Sequence, residues 1–354
     1  MPDDWDGNRP ACIALSPVDN RSNIYRTISL FVLAGVFATL LVIAPDVVLV
    51  IFAGILFSVF FSGGGGWISR HTGVPRGWGI GLFIVAIVLV LAGAIGFFAP
   101  AMSRQVDQLA AEIPAAFENL SARIAQYSWG ERILKAVQPA GLIAGISGQQ
   151  AASAVTGTFG ALGNFVIMLF IGIYGAIDPF TYRKGLRALL APSLRPRADV
   201  VLDRAGAKLQ SWLSAQFMSM AAVGLLTWLG LWLIGIPLAF ILGLIAAILA
   251  FIPNIGPLLA AAPAILLAFT DDNSTVLMVI AVYAVVQGLE SYILTPLIQQ
   301  EKVSLPPALI ISVQLLMGVL FGILGLALAT PLAALGMTLV CAIYIDDFLE
   351  HERK

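Results

Sequence analysis

Charge is what this chain has least of. Only 11% of its 354 residues are Asp, Glu, Lys or Arg, against about 25% in an ordinary soluble domain. That scarcity excludes a soluble globular enzyme, a disordered protein and a nucleic-acid binder. The few charges also cancel, 19 Lys+Arg against 20 Asp+Glu, so no net field attracts polyanions. Cysteine is nearly absent. Cys12 and Cys341 lie at opposite ends of the chain and make neither a disulfide framework nor a metal-ligand cluster. His71 and His351 are the only histidines, which all but excludes histidine-based metal chemistry, and no cofactor is expected. No G-x-x-x-x-G-K-[ST], H-E-x-x-H or G-x-S-x-G occurs, which removes ATP-driven pumping and the common hydrolases.

What is abundant is apolar surface. Hydrophobic residues make up 59% of the chain and the mean hydropathy is +0.95. The expectation is an all-α polytopic membrane protein. Gaps between charges locate the bilayer. No charge falls between Arg26 and Asp46, Arg76 and Arg104, or Lys135 and Asp178. The longest gap, Lys208 to Asp271, leaves 62 uncharged residues, and Lys302 to Asp346 leaves 43. A crossing helix needs about 20 residues, so neither stretch is one simple span.

The reading is about eight hydrophobic segments, some of them broken or re-entrant hairpins. They are 24–44, 47–61, 78–99, 157–177, 211–235, 237–269 (with Pro253, Pro257 and Pro263), 275–298, and 305–345, interrupted near Pro331. Residues 1–23 form a polar tail without the pattern of a signal peptide, and 346–354 a second tail. Residues 100–156 carry Val106, Leu109, Ile113, Phe117, Leu120 and Ile124 at helical spacing, which predicts an amphipathic segment outside the membrane. Residues 178–210 are basic, and Arg183, Lys184 and Arg187 are expected to face lipid headgroups. With a cytoplasmic N-terminus and eight crossings, 14 Lys/Arg fall inside and 5 outside, as the positive-inside rule asks. If 237–269 returns to the side it left, the division is 13 to 6.

Few residues could carry chemistry. Glu290 lies in the seventh segment with apolar neighbours, and an ionisable group there defaults to a functional hypothesis. Tyr283, Gln287, Glu290 and Ser291 recur at i, i+4, i+7 and i+8, one polar stripe that could line a water path or bind a coupling cation. Pro253, Asn254, Gly256 and Pro257 break the sixth segment, and broken helices are where transporters bind solutes and ions. Gly318, Gly322 and Gly325 give the last segment a smooth face for helix packing. Asp178, just before Pro179, reads as a boundary residue, and the run Gly63–Gly66 as a hinge or re-entrant turn at a helix end.

Three stretches together resemble the autoinducer-2 exporter family, the PerM-like permeases of bacterial inner membranes. They are Phe251-Ile252-Pro253-Asn254-Ile255-Gly256-Pro257; Gln287-Gly288-Leu289-Glu290 with Thr295-Pro296-Leu297-Ile298; and Leu305-Pro306-Pro307-Ala308 running into Phe321-Gly322-Ile323-Leu324-Gly325 and Ala329-Thr330-Pro331. The match in order and spacing covers roughly residues 24–345. The resemblance implies a bacterial inner-membrane transporter, in a family whose members are associated with export of the signal autoinducer-2 and some with sodium–proton antiport, so a small polar solute and Na+ or H+ are the expected partners. It also implies a homo-oligomer, a pentamer among the options, and helical hairpins suited to an elevator-like motion. On the same footing, Pro253–Pro257 falls at a hairpin tip and Glu290 matches the family's membrane-embedded acid. Two positions depart from the family pattern: the Gly63–Gly66 run replaces a Pro-containing turn, and Asn254 stands where an aromatic residue is common. The readings carried forward are a solute exporter, a sodium or lithium/proton antiporter, and a passive pore or scaffold, with membrane lipids as partners and nucleic acid excluded.

Overall fold

The computed structural model describes residues 28, 31–32, 35–36, 38–40, 42–124, 148–269, 273–298 and 306–342. The expected tails at 1–23 and 346–354, parts of the 24–44 segment and the middle of the 100–156 segment lie outside the described residues. Among the described residues every regular element is a helix. In chain order these are α1 (Pro45–Thr72), α2 (Arg76–Ile124), α3 (Gly148–Ile177), α4 (Pro179–Ala188), a short turn of 3-10 helix (Pro192–Leu194), α5 (Arg195–Leu233), α6 (Ala239–Leu249) and α7 (Ile255–Ala268). There follow α8 (Asn273–Leu289), a π-helical turn (Glu290–Leu294), α9 (Thr295–Ile298) and α10 (Pro307–Val340).

Five of these stretches are long and apolar enough to cross a membrane, Pro45–Thr72, Arg76–Gly96, Gly160–Ile177, Pro192–Leu233 and Ser274–Leu297, and a sixth, Ala308–Val340, has the length and composition but is folded back at Gly322. They are apolar around much of their circumference, as lipid-facing helices must be. On α2, Val88, Leu89, Val90 and Leu91 are all exposed. The chain is a multi-pass membrane protein with an all-α fold.

The Gly63–Gly66 run corrects one expectation. It neither ends a helix nor turns back, because α1 continues through it to Thr72 and ends at Gly73, a left-handed cap whose N–H donates to the Ser69 carbonyl. The physical reason is packing. A Cβ on Gly64 would run into the Phe83 ring, and one on Gly65 would stand 2.7 Å from the Ile80 Cα. The missing side chains let α2 pass against α1, around a core of Phe61, Ile80 and Ala176. On its other face α1 meets α3 in the same way, at Gly54 and Gly172.

The 49 residues of α2 run without a break past Ala99, where the sequence suggested a boundary. At about 1.5 Å per residue the helix is some 70 Å long, far beyond the ~30 Å of hydrocarbon. Its far half reaches the C-terminal bundle. Ile113 packs on the core formed by Leu231, Leu242 and Val279, and Gln105 accepts a hydrogen bond from the Ile241 N–H at 3.2 Å. That bond satisfies one of the donors left open in the first turn of α6.

α6 and α7 form a helical hairpin. Their 11 and 14 residues give limbs of roughly 16 and 21 Å, so neither can cross the bilayer. The last segment is also a hairpin, and its break is not where the prolines suggested. Pro331 sits inside the helix, wholly buried, while Gly322 has φ 62° and ψ −145°. That conformation belongs to glycine alone. The chain folds back there: Gly318 lies opposite Leu326, and Gly325 opposite Met317. A straight helix would separate residues eight apart by ~12 Å.

Candidate functional site

Two groups of polar contacts lie in the C-terminal bundle, and both hang on α5. Glu290 sits where α8 passes into the π-helical turn. The cause of the turn is legible in Pro296, which has no N–H to offer the carbonyl four residues earlier. The ladder shifts register there, and the Thr295 N–H bonds to the Glu290 carbonyl. Such π-turns recur at functional sites.

The Glu290 carboxylate is held from two sides. Ser219 on α5 donates to Oε1 at 2.7 Å, and the Gln287 amide donates to Oε2 at 3.3 Å. The same amide lies 3.3 Å from the Ser291 hydroxyl, as donor. Glu290, Gln287 and Ser291 are therefore one cluster, as their spacing suggested. Tyr283, the fourth member of the stripe, goes elsewhere. Its hydroxyl donates to the Ala260 carbonyl of α7 at 3.0 Å, fastening α8 to the first hairpin.

The tip of that hairpin is built of strained and tethered backbone. Asn254 has φ 66°, the only described non-glycine residue with a positive φ. At Gly256 a Cβ would collide with the Leu249 carbonyl, so only glycine lets α7 start this close to the end of α6. Two buried amides hold the tip. Gln216 of α5 donates to the Ala250 carbonyl at 2.7 Å. Gln314 of the second hairpin donates to the Pro253 carbonyl at 2.8 Å and stands 3.5 Å from the Thr330 hydroxyl. The tip is closed apolarly by Trp212, whose ring meets Phe251 edge-on at 5.9 Å. Pro257 lies in the first turn of α7. Gln314 is wholly buried, and its own Oε1 finds no partner among the described residues.

The structure thus joins the two sequence-derived groups less directly than the motifs suggested. The Glu290 cluster and the Pro253–Pro257 tip both hang on α5, through Ser219 and Gln216, which are three residues apart and share a helix face. Sequence reasoning passed over Ser219, Gln216, Gln314 and Thr330. One signal was present: Gln314 is the lone side-chain amide between residues 303 and 345, in an otherwise apolar run.

The three glycines of the last segment separate into different roles. Gly325 packs against the Met317 carbonyl and the Phe321 Cβ, whereas Gly318 has only ordinary contact with Leu326 at 3.4 Å. Gly322 meets nothing within 4 Å, and its contribution is the turn.

Outside the membrane, Asp178 caps α4, accepting from the Thr181 N–H at 3.1 Å. Hydrogen bonding from Thr181, side chain first and then backbone, holds its carboxyl below the ordinary Asp value. Arg183 and Arg187 do not simply face headgroups. They pair with Asp203 and Asp199 of α5 at 2.8 and 3.3 Å, which docks α4 on the long helix.

Against known proteins, the sequence model of the AI-2E family transporter matches residues 28–345. Three relatives illustrate the likeness. "Putative transport protein YueF" of Bacillus subtilis (strain 168) is 30% identical over 190 residues, covering 52% of each chain. This chain therefore spans about half the length of that relative. YhhT of Escherichia coli (strain K12), also named a putative transport protein, is 22% identical over 89% of this chain and 87% of its own. "Putative permease PerM" of the same organism is 24% identical over 82% and 76%.

Proposed function

The chain belongs to the AI-2E family of membrane transporters, and from that premise we propose that it is a secondary transporter exporting a small polar solute. The solute class is an autoinducer-2-like signal or a related metabolite, moved across the bacterial inner membrane. The N-terminus is cytoplasmic, following the charge bias of the loops, and the working unit is a homo-oligomer. The observation that carries the proposal is the Glu290 cluster: a carboxylate within an apolar segment, held by Ser219 and Gln287 at the mouth of a π-helical turn. An ionisable group in such a place is retained at a cost of several kcal/mol, and here it adjoins a tethered hairpin tip. Two hairpins, α6–α7 with limbs too short to cross and α10 folded back at Gly322, are suited to moving as units past a fixed helix, here α5, in an elevator-like motion.

A second reading rests on the same carboxylate. Glu290 is the only charged residue between Asp272 and Glu301, so it is the group available to exchange a proton for sodium or lithium. The two readings separate in proteoliposomes. A panel of small polar metabolites is loaded, and efflux is followed under imposed proton or sodium gradients. Saturable efflux of one solute class supports the exporter, and cation-driven proton release without solute movement supports the antiporter. Ohmic current with neither would overturn both in favour of a passive pore.

A further inference from the structure

A cleft opens where the end of α1, the start of α2 and the middle of α5 meet. It has two adjoining compartments of about 290 and 310 Å3, sharing Gly63, Arg70 and Gln210. The first is lined mainly by Val59, Phe60, Phe83 and Leu213. The second is polar, with Ser62, Ser69, Arg70, Arg76 and Gln210. The cleft exists because the glycine run puts no side chains into it. At Gly66 an added Cβ would meet only the Arg70 guanidinium, at 3.7 Å.

Three observations fix its chemistry. Arg70 and Arg76 have no carboxylate partner among the described residues, unlike Arg183 and Arg187. Both are exposed, so they are available to an anion. Trp67 and Trp78 flank them, 57% and 76% exposed. Exposed tryptophans mark the headgroup level of a bilayer, which puts the two arginines there. The apolar compartment lies along α1 toward its middle, and from Val59 to Arg70 the helix rises ~16 Å. A cationic mouth at headgroup depth, continuous with an apolar slot running inward, matches an amphiphile rather than a soluble ion.

We propose that this cleft is a binding site for an anionic phospholipid, with the phosphate on Arg70 and Arg76 and the start of an acyl chain lying along the wall that Val59, Leu213 and the touching rings of Phe60 and Phe83 form. The site is separate from the Glu290 cluster and does not depend on what the protein transports.

The test uses the purified full-length protein in detergent, titrated with phosphatidylglycerol, phosphatidylcholine or inorganic phosphate, with bound lipid counted by native mass spectrometry. Phosphatidylglycerol is retained, and phosphatidylcholine and phosphate are not. The double variant Arg70→Gln/Arg76→Gln weakens retention about thirtyfold, since each basic group near an anionic headgroup contributes about a factor of five. Gly66→Leu keeps both charges and fills the polar compartment, and it abolishes retention. Asp46→Asn, in the first turn of α1 and so at the opposite end of that helix, changes nothing. Equal retention of phosphatidylglycerol by wild type and the double variant would overturn the site. Equal retention of phosphatidylcholine would overturn the anion assignment, and competition by phosphate at the lipid's own affinity would overturn the lipid assignment.

Discussion

The Gln314 amide donates to the Pro253 carbonyl at 2.8 Å, so a residue of the second helical hairpin holds the tip of the first. The bond spans 61 positions of sequence. It ties the two hairpins directly, and its remaining acceptor, Oε1, has no described partner.

That tie predicts the behaviour of Gln314→Leu. The variant keeps most of the buried volume but leaves the Pro253 carbonyl with the Ile255 N–H alone, a loss of one hydrogen bond worth about 0.5–1.5 kcal/mol. The expected outcome is a lower thermal midpoint in detergent and faster amide exchange confined to residues 250–256, read by hydrogen-exchange mass spectrometry. Unchanged exchange at the tip would mean that Gln216 and the Trp212–Phe251 contact suffice to hold it.

The turn at Gly322 sets an order among three substitutions. Gly322→Ala forces a side chain into a glycine-only conformation, costing about 1–3 kcal/mol. Gly325→Ala puts a Cβ 2.7 Å from that of Phe321 and closer still to the Met317 carbonyl, so the limbs must part. At Gly318 the nearest atom would be 3.4 Å away, and alanine is tolerated there. Thermal midpoints should therefore fall clearly for the first two and little for the third. A Gly322→Ala variant as stable as wild type would argue against the fold-back at that residue.

Asp178 predicts a pH effect with a definite sign. Its carboxyl is held below the ordinary Asp value because Thr181 hydrogen-bonds the charged form. A depressed carboxylate stabilises the folded cap at pH values above its unfolded pKa, and the contribution is lost as pH falls through the folded value. The start of α4 should fray in acid and be fully capped at neutral pH. Asp178→Ala should show the frayed state at neutral pH too. Limited trypsinolysis at Arg183 at neutral pH checks this, the variant being cut faster than wild type. Equal cutting would mean that the Arg183–Asp203 pair, not the cap, holds the helix.

How much of this could be read from sequence follows from what each feature costs. Spans were legible because a charge in hydrocarbon is expensive, so the gaps from Arg76 to Arg104 and Lys208 to Asp271 had to lie in the membrane. Glu290 and Gln287 were legible for the same reason, with i, i+3 spacing to pair them. The Pro253–Pro257 break was legible because two prolines and Gly256 together disrupt a helix. The fold-back at Gly322 was not, because Pro331 offered a stronger local signal and only tertiary packing makes the glycine turn. The Gly63–Gly66 run misled in the opposite sense. Four glycines read locally as a loop, but the close approach of Ile80 and Phe83 keeps them helical. Ser219, Gln216 and Gln314 were hidden because a single neutral polar side chain is tolerated in a span, and its partner lies far away in sequence.

The central claim is that the Glu290 cluster lies on the transport path. Its most direct test is the initial rate of solute efflux from proteoliposomes carrying Glu290→Gln, a near-isosteric change that keeps the Ser219 and Gln287 contacts within reach. The account predicts that efflux is abolished while expression and oligomer size match wild type. Wild-type efflux from Glu290→Gln would contradict it.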